Sequence, residues 1–285
     1  MSVLGALDLF RGKPRDAVGE GGRMSLADHF RELRARLMRS CAFLIVALIV
    51  AFVFYHQLYS LLLHPYNQAR HMLGHSRVTM PYVSGVAGPL MLQFKICGAA
   101  ALIGTSPYWL YQIWAFILPG LHPNERKWSR IFAAVAGPLF LAGVAVGYWI
   151  MPKGLQVLIS FTPSSVQNLV NVDEYFSFLV RMLLVFGVAF EIPLFVVLLN
   201  LAGVLRGATL TRYRSWIIVG TFIFAAVATP STDPFSMLML AIPMTVLFLI
   251  SEVVARLVDR RRHREATTWA DDEASPIDGP SSVDE

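Results

Sequence analysis

Two carboxylates, Glu32 and Glu125, lie among basic residues at the edges of apolar segments. Glu32 stands between Arg31 and Arg34, and Glu125 directly precedes Arg126. Taken alone, a carboxylate in such a position is most often a solvated surface residue that neutralises its neighbours. Two carboxylates on one face of a membrane can also receive guanidinium groups through paired, charge-assisted hydrogen bonds. From these residues alone, a surface role and a guanidinium-binding role both remain open.

Glu191 is an ionisable residue inside a long apolar run, residues 185–196. A charged side chain at the centre of a bilayer costs about 2.5 to 3.5 kcal/mol on insertion scales, so such a residue normally faces protein, a water-filled cavity or a partner. A role in transport, gating or partner contact is therefore favoured, and a structural, hydrogen-bonded carboxyl is the alternative. Pro193 predicts a kink beside Glu191, and the carbonyl released by that kink adds a second polar group.

Asp233 is the acid of the short loop between the last two apolar segments. It precedes Pro234, and a turn-forming Asp-Pro pair is its simplest interpretation. Pro65 and Pro81 fall in the first loop on the same side of the predicted membrane. Together with nearby glycines they predict an ordered cap rather than a strand.

Metal, thiol and hydrolytic chemistry find no support in the remaining residues. Cys41 and Cys97 lie in apolar runs without a C-x-x-C pattern and are interpreted as small apolar side chains. The seven histidines lie outside the interiors of the predicted spans, and H-E-x-x-H is absent. We therefore expect neither an enzyme nor a bound metal or cofactor.

The composition requires lipid around most of these residues. Of 285 residues 55% are hydrophobic and only 15% charged, whereas a soluble chain is about 25% charged. The mean hydropathy is +0.56. Too few polar side chains are present to cover a soluble body, and a disulfide scaffold, a disordered chain and a basic nucleic-acid arm are excluded as the main body.

Six apolar segments predict an all-α, polytopic membrane protein with six transmembrane helices. They lie at about 40–60, 93–117, 131–151, 177–200, 215–229 and 235–251. The first four reach the ~20 residues that a spanning helix needs, and the last two are shorter. Gly143 and Gly147 form a small-xxx-small pair that would let two helices approach closely.

Polar sequence flanks this membrane domain, which we place at residues 25–256. Residues 1–24 form a polar extension without a cleavable signal peptide, and residues 257–285 a basic and then acidic tail that is expected to be disordered. The spacing of Leu26, Phe30, Leu33 and Leu37 predicts a basic amphipathic helix, capped by Ser25, that lies on the membrane surface before the chain turns into it.

The basic residues predict the orientation. Nineteen of the 24 fall in the N-terminal region, the second and fourth loops and the tail. Because cytoplasmic segments retain Lys and Arg, both termini are expected in the cytoplasm.

Several motifs, in this order along the chain, resemble the TatC subunit of the twin-arginine translocase. They lie at residues 29–37, 111–127, 186–193, 229–236 and 240–243. The chain departs from the family's pattern at Gly88-Pro89, where relatives often carry a glutamate, and at Met237, where they often carry a glutamine.

The resemblance implies a receptor and core subunit that binds twin-arginine signal peptides and exports folded proteins, driven by the proton-motive force. It implies single-span TatA/TatB-type subunits as partners, a homo-oligomer within a larger complex, and the bacterial cytoplasmic membrane as the location. By the resemblance, Glu32 and Glu125 receive the twin arginines. The residues that it assigns to partner-subunit contact or translocation are Glu191, Phe116, Pro65 and Asp233.

The alternative function is a proton-coupled small-solute secondary transporter that uses Glu191. Such transporters are commonly built from repeated halves with matching broken helices. The first and second groups of three spans show no internal similarity, which disfavours this alternative.

Overall fold

The computed structural model describes residues 26–73, 79–117, 126–163, 166, 168–201, 203–229 and 233–267, and this part of the chain is almost wholly helical. In chain order the described elements are α1 (Leu26–Val53), α2 (Tyr55–Leu73), β1 (Thr79–Tyr82), α3 (Gly88–Gly104), α4 (Ser106–Ile117), α5 (Arg126–Ser160), β2 (Asn168–Asn171), α6 (Val172–Phe190), α7 (Ile192–Leu201), α8 (Gly207–Arg212), α9 (Arg214–Ala228) and α10 (Pro234–Thr267).

Within the described part of the chain, four helical segments are long and apolar enough to cross a membrane. They are Phe30–Val53, Ala134–Ser160, Val172–Leu201 and Pro234–Arg260. The pair α3 and α4, bent by 54° at Thr105, gives a fifth if it forms one span, and α9 is a shorter apolar helix. The predicted helical, polytopic membrane fold is confirmed, while length and composition support four or five spans with α9 as a further short segment.

The first predicted span and the predicted surface helix are one continuous helix, α1. Its 28 residues contain neither Gly nor Pro, so nothing in the backbone chemistry breaks the helix where the sequence becomes apolar. The expected turn into the membrane is absent from α1. Ser25, the expected cap, lies outside the described residues.

The last apolar segment, predicted to be short, lies in a helix of 34 residues, α10. The apolar run ends near residue 251, but the helix continues to Thr267, past the predicted domain boundary at residue 256. It continues because Glu252 and Asp259 make hydrogen bonds to neighbouring helices from its polar stretch. The described part of the chain ends there.

The bundle has two ends. At the near end lie the start of α1, the end of α4, the end of α7 and the last turns of α10, as the contacts of Arg36 with Gln112 and of Asn200 with Asp259 show. At the far end lie α2, the two strands and the starts of α6 and α10, where Phe161 stacks 5.3 Å from Phe235 between ring centroids.

The far end carries a small cap that the sequence predicted only in part. Pro65 is buried inside α2, as an ordered cap requires. Pro81, however, lies in strand β1, which pairs in parallel with β2, Thr79 opposite Asn168. The expectation of a cap without a strand is therefore wrong at Pro81, which is tolerated because both strands of a two-stranded sheet are edge strands.

The core of the bundle is the contact between α5 and α6. A Cβ on Gly143 would lie 2.5 Å from the Phe186 carbonyl oxygen, and one on Gly147 would lie 3.0 Å from the Phe186 side chain. Phe186 is fully buried there. The close helix approach predicted from this small-xxx-small pair is confirmed, and it fixes the position of α6 and of the Glu191 that follows it.

Candidate functional site

Glu32 holds a guanidinium group from its own helix. Its Oε1 accepts hydrogen bonds from Arg36 Nη2 at 2.6 Å and from Arg36 Nε at 3.0 Å. The two residues are four apart, so they lie on one face of α1. Both side chains are largely shielded, with about a fifth of each exposed. The carboxylate is therefore placed and oriented to bind guanidinium.

The same guanidinium reaches across to α4. Arg36 Nη1 donates to Gln112 Oε1 at 3.2 Å, and Gln112 is buried. Phe116, one helical turn further along α4, is on the same helix face as Gln112 and is half-buried. Glu32, Gln112 and Phe116 thus belong to one region at the near end, which we call the near-end site.

Glu125 lies outside the described residues, so its predicted pairing with Glu32 remains a prediction. The residues that flank its loop are described. Ile117 ends α4 one residue after Phe116, and Arg126 begins α5. The described residues on either side of Glu125, Ile117 and Arg126, therefore both lie at the near end.

Glu191 occupies the break between α6 and α7. Its N–H bonds the Val188 carbonyl at 3.0 Å, and its carbonyl accepts from the Phe195 N–H at 2.9 Å, so the helix continues around the predicted kink at Pro193. Neither carboxylate oxygen has a hydrogen-bond partner among the described residues, although both are buried. The buried indole of Trp114 faces this carboxylate without closing a hydrogen bond of normal geometry.

Pro65 and Asp233 lie at the far end, away from the near-end site. Asp233 caps α10, because its Oδ1 accepts the Ser236 N–H at 2.7 Å and Pro234 takes the first helical position. The turn-forming interpretation of Asp233 thus accounts for its geometry. The predicted site residues fall into three separate places: the near-end site, the Glu191 kink and the far-end cap.

A buried carboxylate cluster at the near end was missed by sequence reasoning. Glu252 is 1% exposed and accepts a bidentate pair from Arg214, Nε to Oε2 at 2.9 Å and Nη2 to Oε1 at 2.8 Å. Thr211 donates to it at 2.8 Å, and Arg256 also contacts it. This cluster joins α8 and α9 to α10, so its role is to stabilise the packing of these three helices.

The family model described as Sec-independent protein translocase protein (TatC) matches residues 28–243. This chain belongs to the TatC family. A TatC protein of Corynebacterium kroppenstedtii is 38% identical, covering 92% of this chain and 69% of that one. One of Xylanimonas cellulosilytica is 37% identical, covering 89% of this chain and 91% of the other.

Solved structures agree with this membership. A crystal structure of a twin-arginine translocase receptor TatC is 30% identical, with a TM-score of 0.70 over 81% of this chain and 100% of that chain. A second one, in DDM, has a TM-score of 0.69 over 80% of this chain and 99% of the other. The TatC family fold and its role in protein translocation, a non-enzymatic one, therefore apply to this chain.

Two residues of the near-end site, Arg36 and Gln112, were not predicted. The four-residue spacing from Glu32 to Arg36 was a visible signal, since such pairs meet on a helix. Gln112 gave a weaker signal, a polar residue in an apolar helix. Its contact with Arg36 spans 76 residues of sequence, and no local pattern specifies such a pairing.

Proposed function

We propose that this protein is the receptor and core subunit of the twin-arginine translocase, with its near end in the cytoplasm. In this role it binds twin-arginine signal peptides and exports folded proteins across the bacterial cytoplasmic membrane, driven by the proton-motive force. The observation that carries the proposal is the guanidinium group that Glu32 already holds. A site that fits Arg36 has the chemistry that an arginine of a peptide needs.

The binding step is an exchange of guanidinium groups. A signal-peptide arginine takes the place of Arg36 on Glu32, and the Gln112 amide oxygen receives a second N–H of the same group. Planar guanidinium suits such a pair of acceptors better than the point charge of lysine does. Glu125, in the loop that follows Phe116, receives the second arginine of the pair.

Glu191 contacts a single-span TatA/TatB-type subunit. A buried carboxyl without a hydrogen-bond partner among the described residues is costly in lipid, and a polar group from another helix would remove that cost. Phe116 lies where the bound peptide leaves the near-end site, and Pro65 and Asp233 shape the far-end cap that the exported protein passes. Copies of this chain assemble within the larger complex.

The charges of the described residues support the orientation. Arginines cluster at the near end on α1, α8 and α10, whereas Lys95, toward the far end, is neutralised by Asp173 at 2.5 Å. Cytoplasmic ends of membrane proteins retain such an excess of basic residues. Basic flanks also hold the peptide's surroundings at the anionic inner leaflet.

The test is a binding titration of a fluorescent twin-arginine signal peptide to the purified protein in detergent. Glu32→Gln should weaken binding roughly tenfold to a hundredfold, the loss expected for a charge-assisted hydrogen bond. Glu174→Gln, which alters an exposed glutamate at the far end, is the matched control and should bind as the wild type does. A peptide with two lysines should bind weakly to all three.

Unchanged affinity in Glu32→Gln, with the fold intact by circular dichroism, would exclude the carboxylate receptor. Export of a folded twin-arginine reporter in cells lacking their own copy provides the cellular counterpart. Uptake of a small solute by proteoliposomes of this protein alone would support the transporter alternative instead.

A further inference from the structure

A cavity of about 900 Å³ opens at the near end, between the end of α7, α8 and the last turns of α10. Gly203, at a φ of 75°, turns the chain sharply after α7 and leaves this space open. The lining includes three arginines, Arg206, Arg256 and Arg260. The cavity is separate from the near-end site, whose residues do not line it.

Both carboxylate oxygens of Asp259, the acidic residue in the lining, already accept hydrogen bonds from the protein. Asp259 accepts hydrogen bonds from Asn200 Nδ2 at 2.7 Å and from the Gly207 N–H at 2.6 Å, one on each carboxylate oxygen. The two exposed arginines, Arg206 and Arg260, have no side-chain hydrogen bond or ion pair with any described residue. The cavity therefore presents two uncommitted guanidinium groups.

The third arginine is held in place. Arg256 contacts both Thr211 and Glu252, and Glu252 is itself paired with Arg214. Its guanidinium is thus fixed at the cavity wall, whereas Arg206 and Arg260 can adjust to a ligand. One fixed and two adaptable guanidinium groups form a concave site for an anion with several oxygen acceptors.

The position of the cavity along the membrane normal indicates which kind of anion it binds. Helix α7 ends at Leu201 and the apolar run of α10 ends near residue 251. The cavity, lined by Arg206, Arg256 and Arg260, therefore lies just beyond the apolar core, at its boundary with water. Phospholipid headgroups occupy this level of a membrane. Basic pockets between transmembrane helices on the cytoplasmic side bind anionic headgroups, and arginine binds phosphate oxygens through paired hydrogen bonds.

We infer that this cavity binds the phosphate of an anionic phospholipid headgroup in the inner leaflet. The inference rests on the proposed orientation of the chain but not on signal-peptide binding. The lipid would join α7, α8 and α10 from outside the bundle. Free phosphate shares the same chemistry, and the experiment distinguishes the two sources.

The experiment is native mass spectrometry of the full chain released from micelles that contain equal amounts of phosphatidylglycerol and phosphatidylcholine. The wild type should retain phosphatidylglycerol preferentially. Arg206→Gln and Arg260→Gln should each reduce that preference roughly fivefold, which corresponds to about 1 kcal/mol per basic residue, and the double variant should abolish it. Arg212→Gln, an exposed arginine of α8 outside the lining, is the matched control and should retain the lipid.

A second arm titrates inorganic phosphate against the wild type in phosphatidylcholine micelles by calorimetry. Tight phosphate binding without preference between the two lipids would overturn the lipid assignment, as would equal phosphatidylglycerol retention by the wild type and the double variant. Neither exposed arginine makes a side-chain hydrogen bond or ion pair with a described residue, so the variants should fold, and each single variant repeats the test. Signal-peptide binding, measured in parallel, separates failure here from failure of the receptor proposal.

Discussion

In the proposed binding step, Arg36 and a signal-peptide arginine compete for the same oxygen of Glu32. The internal pair is partly exposed, and pairs of that kind are worth about 0.2 to 1 kcal/mol. Arg36 therefore stabilises the empty site without closing it. A weak internal partner keeps the Glu32 carboxylate hydrogen-bonded, and under the proposal it is displaced when the peptide binds.

Removing this competitor should tighten peptide binding. We expect Arg36→Gln to raise the affinity for a twin-arginine peptide about twofold to fivefold, since the peptide no longer breaks the internal pair. Arg34→Gln removes the same charge from an exposed position on α1 and serves as the control for long-range electrostatics. Weaker binding in Arg36→Gln than in Arg34→Gln would show that Arg36 supports the site instead of occupying it.

We expect that replacing Glu191 by an apolar residue stabilises the protein but abolishes its function. The buried Glu191 carboxyl has no hydrogen-bond partner among the described residues. Replacing it by an apolar side chain of similar size removes a desolvation cost of about 1 to 3 kcal/mol. Glu191→Leu should therefore raise the unfolding temperature of the isolated protein by several degrees, measured by differential scanning fluorimetry. The same variant should lose co-purification of the single-span subunit and export of the reporter.

Glu191→Gln is the companion variant, because an amide keeps hydrogen-bonding capacity without charge. It should retain more partner contact than Glu191→Leu does. Loss of stability in Glu191→Leu would mean that the carboxyl already has a structural partner, and the partner-subunit role would then lose its support.

At the residue scale, the sequence predicted acids better than it predicted their partners. Glu32 and Glu191 stand out because a carboxylate is rare in or beside an apolar segment. Gln112 and Trp114 lie near them only because α4 packs against α1 and α7, and no local pattern carries that information. Glu252 escaped notice because it lies just beyond the last apolar run, where a charged residue looks solvated.

At the element scale, the contact between α5 and α6 depends on a few glycines where the two helices meet. The Phe186 carbonyl that approaches Gly143 is backbone and cannot move away without shifting α6. Overpacking of this kind typically costs 1 to 3 kcal/mol. Glu191 follows Phe186 by five residues. Its position thus depends on residue 143 of α5 being a glycine.

Gly143→Ala should lower the unfolding temperature by roughly 5 °C, measured in detergent by circular dichroism. Gly98→Ala in α3 is the matched control, because a Cβ there meets nothing within 4 Å. It should leave the unfolding temperature unchanged or raise it slightly, since alanine favours helix. Equal effects of the two substitutions would contradict the close packing of α5 on α6.

Element boundaries were harder to predict than the elements themselves, for a physical reason. Hydropathy marks where lipid begins, whereas a helix ends where its backbone hydrogen bonds end. In α1 and α10 the helix continues through polar sequence. No Gly or Pro interrupts α1, and in α10 Glu252 and Asp259 accept hydrogen bonds from neighbouring helices. The kink at Pro193 was predictable, since its cause lies in the covalent chemistry of one residue.

The whole molecule separates its charges by end, and this separation underlies both the receptor site and the lipid site. Each requires the near end to face the cytoplasm. The far end has a cap in which Pro65 is buried, and Lys95, toward that end in α3, is neutralised by Asp173. One measurement of orientation therefore tests a shared premise.

Single cysteines at the two ends make that measurement possible. In a background of Cys41→Ala and Cys97→Ala, Val86→Cys places a thiol at the far end and Val204→Cys at the near end, both at exposed positions. A membrane-impermeant maleimide should label Val86→Cys in intact spheroplasts and Val204→Cys only after permeabilisation, because a charged reagent cannot cross the bilayer. The cysteine-free background controls for unspecific labelling. The reverse pattern would place Glu32 and the arginine-lined cavity outside the cell, where neither a signal peptide awaiting export nor an inner-leaflet headgroup could reach them.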